Sequence, residues 1–204
     1  VPTERKDVQN DHFTFQAPDQ GYILGQRLAR RYRCQGIHAE VVQNGFRARG
    51  QVTDFSALAF AVQVTPTAPG SFRWFNADSQ STVNLNRGEQ IVFSAACRCI
   101  RQASDQVARD IVFAPMISQM NRFPKKKWRN PRVRVTPFPN ITFNHPPINK
   151  MVQLDIHDLS VSGFAVYVST DEDVLMVGMI IPDLTMNYAG ALKIKCKAQI
   201  LYRR

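Results

Sequence analysis

The chain has 204 residues, 44% of them hydrophobic, and carries 26 Lys and Arg against 16 Asp and Glu, for a formal charge of +10. A single-sign field of this size favours anionic partners such as nucleotide phosphates, nucleic acid or an acidic membrane surface. No apolar run approaches the roughly 18 residues that cross a bilayer, no signal peptide is visible, and the four cysteines form no Cys-x-x-Cys pair, which excludes a membrane helix, a zinc site and a disulfide framework in favour of reduced, buried thiols in a cytoplasmic protein.

In chain order, a cluster of four arginines, Arg27, Arg30, Arg31 and Arg33, comes first. Period-two alternation then predicts strands over residues 37–42 and 46–52, joined at Asn44-Gly45, a two-residue hairpin signal. Further strands are expected at 59–64, 72–75, 91–100 and 110–114. Six short strands at this spacing suit a small closed antiparallel barrel. Residues 117–128 carry charge and one proline without a strand pattern, so they read as a linker. A second basic arm spans 122–134, with Arg122, Lys125, Lys126, Lys127, Arg129, Arg132 and Arg134. Strands are expected again at 140–143, 151–156, 164–168, 174–179 and 193–202. The second set has no equivalent of 110–114, so its last basic strand is expected to be an open edge. The expectation is that the protein continues past Arg204, or that a strand from another chain covers that edge.

The two halves are related. Thr53-Asp54-Phe55-Ser56-Ala57-Leu58-Ala59-Phe60-Ala61-Val62-Gln63-Val64 returns 104 positions later as His157-Asp158-Leu159-Ser160-Val161-Ser162-Gly163-Phe164-Ala165-Val166-Tyr167-Val168. A repeat of that length is the size of a small domain. The chain is therefore read as all-β, with two tandem six-stranded antiparallel barrels, residues 1–118 and 119–204, joined by a short basic linker.

The repeated element has a specific chemistry. Asp158 and Ser160, two apart at a strand end, offer a carboxylate and a hydroxyl together. A carboxylate accepts two parallel hydrogen bonds from the N1–H and N2–H2 edge of guanine. Gly163 lets the chain turn without a Cβ or lets a planar ring approach closely. Arginines in the arm can take phosphates bidentately, or the O6/N7 edge of guanine. The same composition is also a common turn, with Asp or Ser capping backbone N–H groups. What favours a site is that arm and turn recur together, about 23 to 29 residues apart, in both halves.

On these residues the chain resembles the PilZ family, bacterial receptor domains for cyclic di-GMP. The family's signature is Arg-x-x-x-Arg, followed some 20 to 30 residues on by Asp/Asn-x-Ser-x-x-Gly, on a six-stranded barrel. Asp158, Ser160 and Gly163 match the second element in full, and residues 177–184 resemble the strand and turn that follow it. The first element departs from the pattern in the second half: Arg129 pairs with Arg132 or Arg134 at one residue off the spacing, and Lys125 with Arg129 has the spacing but a lysine. In the first half Arg27 and Arg31 have the spacing and Asp54 and Ser56 are intact, but Ala59 replaces the glycine.

The resemblance implies a cyclic di-GMP receptor that needs no cofactor and changes its domain arrangement to signal to a protein partner, in motility or surface behaviour. The ligand-binding residues it implies are Lys125, Arg129, Arg132, Arg134, Asp158, Ser160 and Gly163, with Arg27, Arg31, Asp54 and Ser56 as a degenerate second site. The alternatives are a basic β-barrel that binds nucleic acid, using Lys125-Lys126-Lys127 and exposed aromatics, or a scaffold that binds only protein. Catalysis is not expected: there is no nucleophile elbow, phosphate-binding Gly loop or His-Glu-x-x-His motif. Asp155, His157 and Asp158 read as a polar strand end and not as a metal site.

Overall fold

The structure, a computed structural model, describes residues 5–9, 12–15, 29–65, 72–104, 108–117, 131–169, 173–188 and 192–203. Strands β1 (Arg5–Gln9) and β2 (His12–Phe15) form an antiparallel hairpin of their own, and β3 (Tyr32–Arg33) follows. In β4 (Ile37–Gln43) the side chains of Ile37, Ala39, Val41 and Gln43 are buried and those between them face outward. That alternation is the pattern of a strand with one face in a core. The turn into β5 (Phe46–Phe55) passes through Asn44 and Gly45 at φ of 51° and 82°, left-handed at both central positions as a type I′ hairpin requires.

Next come β6 (Phe60–Val64), β7 (Ser81–Arg87), β8 (Gln90–Ser104) and β9 (Arg109–Pro115). The sheet order is β3-β5-β4-β7-β8-β9-β6, and β6 also pairs with β5, so β4 to β9 close into a six-stranded antiparallel barrel. Closure depends on Gly50. A Cβ there would lie 2.5 Å from the carbonyl oxygen of Gln63 and 2.7 Å from a Val62 methyl, so only glycine lets β5 fold this close onto β6.

The strand count of the first unit is as expected, but one member is different. Residues 72–75 form a turn, closed by the Phe75 N–H on the Phe72 carbonyl at 3.0 Å, and Phe75 packs edge-on against Phe113. The fourth strand is β7, which buries Ser81, Val83 and Leu85 and presents Thr82, Asn84 and Asn86 on its other face. Its inward set is short and partly polar, which hides it beside the more hydrophobic aromatic run.

The second unit contains β10 (Asn140–His145), β11 (Lys150–Ser160), β12 (Gly163–Val166), β13 (Ile180–Tyr188) and β14 (Leu192–Gln199). They form a curled sheet in the order β12-β11-β10-β13-β14, which repeats the β6-β5-β4-β7-β8 order of the barrel. Among the described residues nothing corresponds to β9, and the sheet stays open between β12 and β14. Leu154 stands where Gly50 stands in β5, and β11 pairs with β12 only from Ile156 to Ser160, against Gly50 to Phe55 in the barrel.

Residues 174–179 also depart from the sequence reading. Val174, Leu175, Met176 and Val177 are buried in succession, so the segment is a continuous apolar plug and not an alternating strand. Met179 makes a single bridge to Phe93 of β8. The strand proper is β13, which passes through Pro182 where the pairing with β14 shifts register between Ile181 and Leu184. Proline is tolerated there because no ladder N–H is required of it.

The two units share one core. Phe55 stacks edge-on against His145 at 5.4 Å, Arg87 donates to the Pro146 carbonyl and to Asn149, and Arg203 reaches the Ala57 carbonyl and Asp173. His145 is fully buried, its Nε2 lies 2.8 Å from the Val174 carbonyl oxygen, and Nδ1 has no partner among the described residues. Burial pushes its pKa down to about 4, so the ring is neutral near pH 7 and Nε2–H donates to Val174. Among the described residues no helix is long and apolar enough to cross a membrane.

Candidate functional site

The two copies of the repeat build the same local frame. In β5 the pairing shifts register between Val52 and Asp54, and in β11 it shifts between Ile156 and Asp158. A bulge places two residues opposite one and changes the phase of the strand. Val52 and then Phe55 point into the barrel, and Ile156 and then Leu159 toward the shared core from the second sheet, which leaves Asp54 and Asp158 at the surface, each partly exposed.

The serines hold the following turn. Ser56 Oγ donates to the Ala59 carbonyl at 2.9 Å and accepts from the Ala59 N–H at 3.0 Å. Ser160 Oγ donates to the Gly163 carbonyl at 3.0 Å and accepts from the Ser162 N–H at 3.4 Å. Each hydroxyl is therefore engaged by its own turn, the capping arrangement that this composition offers.

Each arm lies against the bulge. Tyr32 pairs with Phe55, Arg33 with Asp54, and the Cys34 N–H donates to the Thr53 carbonyl at 3.1 Å. In the second copy Val133 and Leu159 exchange two backbone hydrogen bonds, at 2.9 and 3.0 Å. Val133 thus takes the place of Tyr32, and the residue before each is an arginine. Arg31 Nη1 lies 3.3 Å from Asp54 Oδ2, and Arg132 Nη1 pairs with Asp158 Oδ1. Both pairs sit in partly exposed side chains, where such ion pairs contribute little stability, roughly 0–1 kcal/mol. Their interest is positional: they hold a cation and a carboxylate together at the surface.

Of the sequence-predicted residues, Arg132, Asp158, Ser160 and Gly163 are gathered at one hairpin, and Arg31, Asp54 and Ser56 at its counterpart. Arg134 is exposed, one residue beyond Val133 as Arg33 is beyond Tyr32. Arg27, Lys125 and Arg129 lie outside the described residues. Counted back along the sequence, the position four before Arg31 is Arg27, whereas four before Arg132 is Trp128. Backbone register therefore aligns Arg132, and not Arg129, with Arg31 of the first arm.

Gly163 has no left-handed φ, and a Cβ on it would meet nothing within 4 Å. The protein itself does not require glycine there. His157 is not part of a metal cluster, none being found among the described residues. Its ring stacks on Tyr167, centroids 4.4 Å apart and planes 25° apart. Tyr167 escaped the sequence reading, although its alternation with Ala165, opposite Asp158, marks it as outward-facing. Burial, followed by the Asp54 carboxylate nearby, pushes the Cys34 thiol up to about 12, so it remains a protonated packing residue.

No family model matches the chain, and no curated protein matches it. Among solved structures it is similar to MrkH, described as a c-di-GMP-dependent transcription regulatory factor, at 15% identity over 79% of this chain and 65% of that one, with a TM-score of 0.31. YcgR from Escherichia coli in complex with c-di-GMP gives 13% identity, 80% and 68% coverage and a TM-score of 0.31. PlzA from Borreliella burgdorferi in complex with c-di-GMP gives 10% identity, 83% and 80% coverage and a TM-score of 0.33.

Proposed function

We propose that the chain is a non-catalytic receptor for cyclic di-GMP, made of two PilZ-like domains over residues 1–118 and 119–204, with its principal site on the second. The observation that carries this reading is the Arg132–Asp158 pair beside Gly163. It supplies a cation for phosphate, a carboxylate for the guanine N1–H and N2–H2 edge, and an unobstructed floor for a planar ring. Asp158 is the guanine acceptor, and Arg132 and Arg134 take phosphate or the O6/N7 edge. Arg129 and Lys125 supply further positive charge from the arm. Ser160 shapes the hairpin that presents Asp158 and Gly163. Arg31, Asp54 and Ser56, with Arg27, form a degenerate copy in which Ala59 occupies the floor.

Ligand must compete with Arg132 for Asp158, so binding is coupled to a change in the arm. That arm is also the connection between the domains, so its rearrangement bears on a surface offered to a protein partner. Isothermal titration with cyclic di-GMP tests the reading. Saturable binding with little response to oligonucleotides supports it. A steep salt-dependent affinity for any polyanion would replace it with the nucleic-acid reading, for which the exposed Lys193, Lys195 and Lys197 of β14 are the favouring observation.

A further inference from the structure

We infer that the His157–Tyr167 stack is a base-stacking platform of the second site, and that it makes the site selective for a ligand carrying a purine ring over a bare phosphate anion. The inference rests on the cyclic di-GMP reading of that site and adds a recognition element to it.

The placement follows from register. Asp158 faces Ala165 across the β11–β12 hairpin, while Phe164, Val166 and Val168 pack on the core. Ala165 therefore points outward, and Tyr167, just past the end of the strand, is exposed. Tyr167 directly follows the last residue of β12, and its ring rests on His157, the residue before Asp158, so the tyrosine ring and the Asp158 carboxylate stand within the reach of one nucleotide. His157 belongs to the bulge that exposes Asp158, and its ring covers one face of Tyr167 at 4.4 Å. Tyr167 is nevertheless 69% exposed. The histidine holds the tyrosine by one face and leaves surface open to solvent. An aromatic ring fixed in this way presents a π-surface at low entropic cost, on which a flat base can stack.

Comparison of the copies points the same way. The first copy has Thr53 and Gln63 where the second has His157 and Tyr167, and Ala59 where the second has Gly163. The Asp, the Ser and the paired arginine are kept in both. The differences that enlarge planar contact and those that clear space for it thus fall together, in one copy, beside one carboxylate. Nothing in the packing accounts for them: Tyr167 lies outside the shared core, and a Cβ at residue 163 would meet open space.

The test compares wild type, Tyr167→Ala, Tyr167→Phe and His157→Thr for binding of cyclic di-GMP and of pyrophosphate, with fluorotyrosine NMR as a second readout. Loss of a base-stacking ring corresponds to roughly a five- to hundredfold loss of affinity. Tyr167→Ala is expected to lose cyclic di-GMP affinity within that range, Tyr167→Phe to retain it, and His157→Thr to lose part of it. Pyrophosphate, which has no base, should bind all four proteins alike. The Tyr167 resonance, identified by its absence in Tyr167→Phe, should shift on saturation with cyclic di-GMP. Undiminished affinity in Tyr167→Ala, or an equal loss for pyrophosphate, would overturn the platform while leaving the receptor reading in place. Failure of the wild type to bind cyclic di-GMP would remove both.

Discussion

At Gly163 the fold tolerates a Cβ and the proposed ligand does not. A Cβ there meets nothing within 4 Å, and the backbone is not in the left-handed region. Gly163→Ala should therefore melt at the same temperature as the wild type or slightly above it, because alanine restricts the unfolded chain. It should still weaken cyclic di-GMP, because the methyl group stands on the floor where a ring would lie. A drop in melting temperature would show the glycine to be structural. The carboxylates divide similarly. Asp158→Ala is expected to lose at least about tenfold in affinity, since a charged hydrogen bond contributes roughly 1.5–3 kcal/mol. Asp54→Ala, beside Ala59 and without the aromatic stack, should change affinity little. Equal losses from the two variants, measured by isothermal titration, would assign ligand to both copies.

At the scale of elements, one glycine sets how far the β5–β6 seam of the barrel runs. Gly50 lies where β5 bends across to β6, with the Gln63 carbonyl at 2.5 Å from its would-be Cβ. Gly50→Ala forces backbone against backbone, so urea denaturation should show a loss of about 1–3 kcal/mol or more. An unchanged midpoint would mean that the β5–β6 seam can open without cost. The equivalent position in the second unit is Leu154, and there the β11–β12 seam runs only from Ile156 to Ser160. The bulges are the other decisive elements. Without the shift between Ile156 and Asp158, simple alternation from the buried Ile156 would turn Asp158 inward. A buried, unpaired carboxylate is strongly disfavoured.

For the whole molecule, the interface between the units contains a titratable group that must stay neutral. His145 is fully buried against Phe55, and its pKa falls to about 4 from an ordinary 6.5. As pH falls, the unfolded chain takes up this proton first. The stabilisation is complete above about pH 6.5 and is lost as pH drops toward 4, at a slope approaching 1.4 kcal/mol per pH unit. Urea midpoints at pH 7 and pH 5 should fall less in His145→Gln than in the wild type. Equal falls would show that another group governs the acid response. Phe55, the residue after Asp54, links the first arm's pairing to this same histidine.

Much of this was legible because it is local. The hairpin at Asn44-Gly45 follows from residues that tolerate positive φ. The Asp-x-Ser repeat marked both bulged hairpins, and the all-β class followed from period-two alternation. β7 and the 174–179 plug are hard to read along the chain because hydrophobicity there does not track strand formation. In the structure the aromatic run at 72–75 is a turn, the polar-faced 81–87 segment is the strand, and four consecutive apolar residues are buried between the units. The Arg132–Asp158 pair is set by the backbone bonds between Val133 and Leu159, and counting arginines along the arm did not single it out. Which residues recur and which alternate can be read along the chain, because those are properties of neighbours in it. Which arginine meets the carboxylate, what stacks on His157 and whether a sheet closes emerge on folding, because each depends on groups brought together by register and packing.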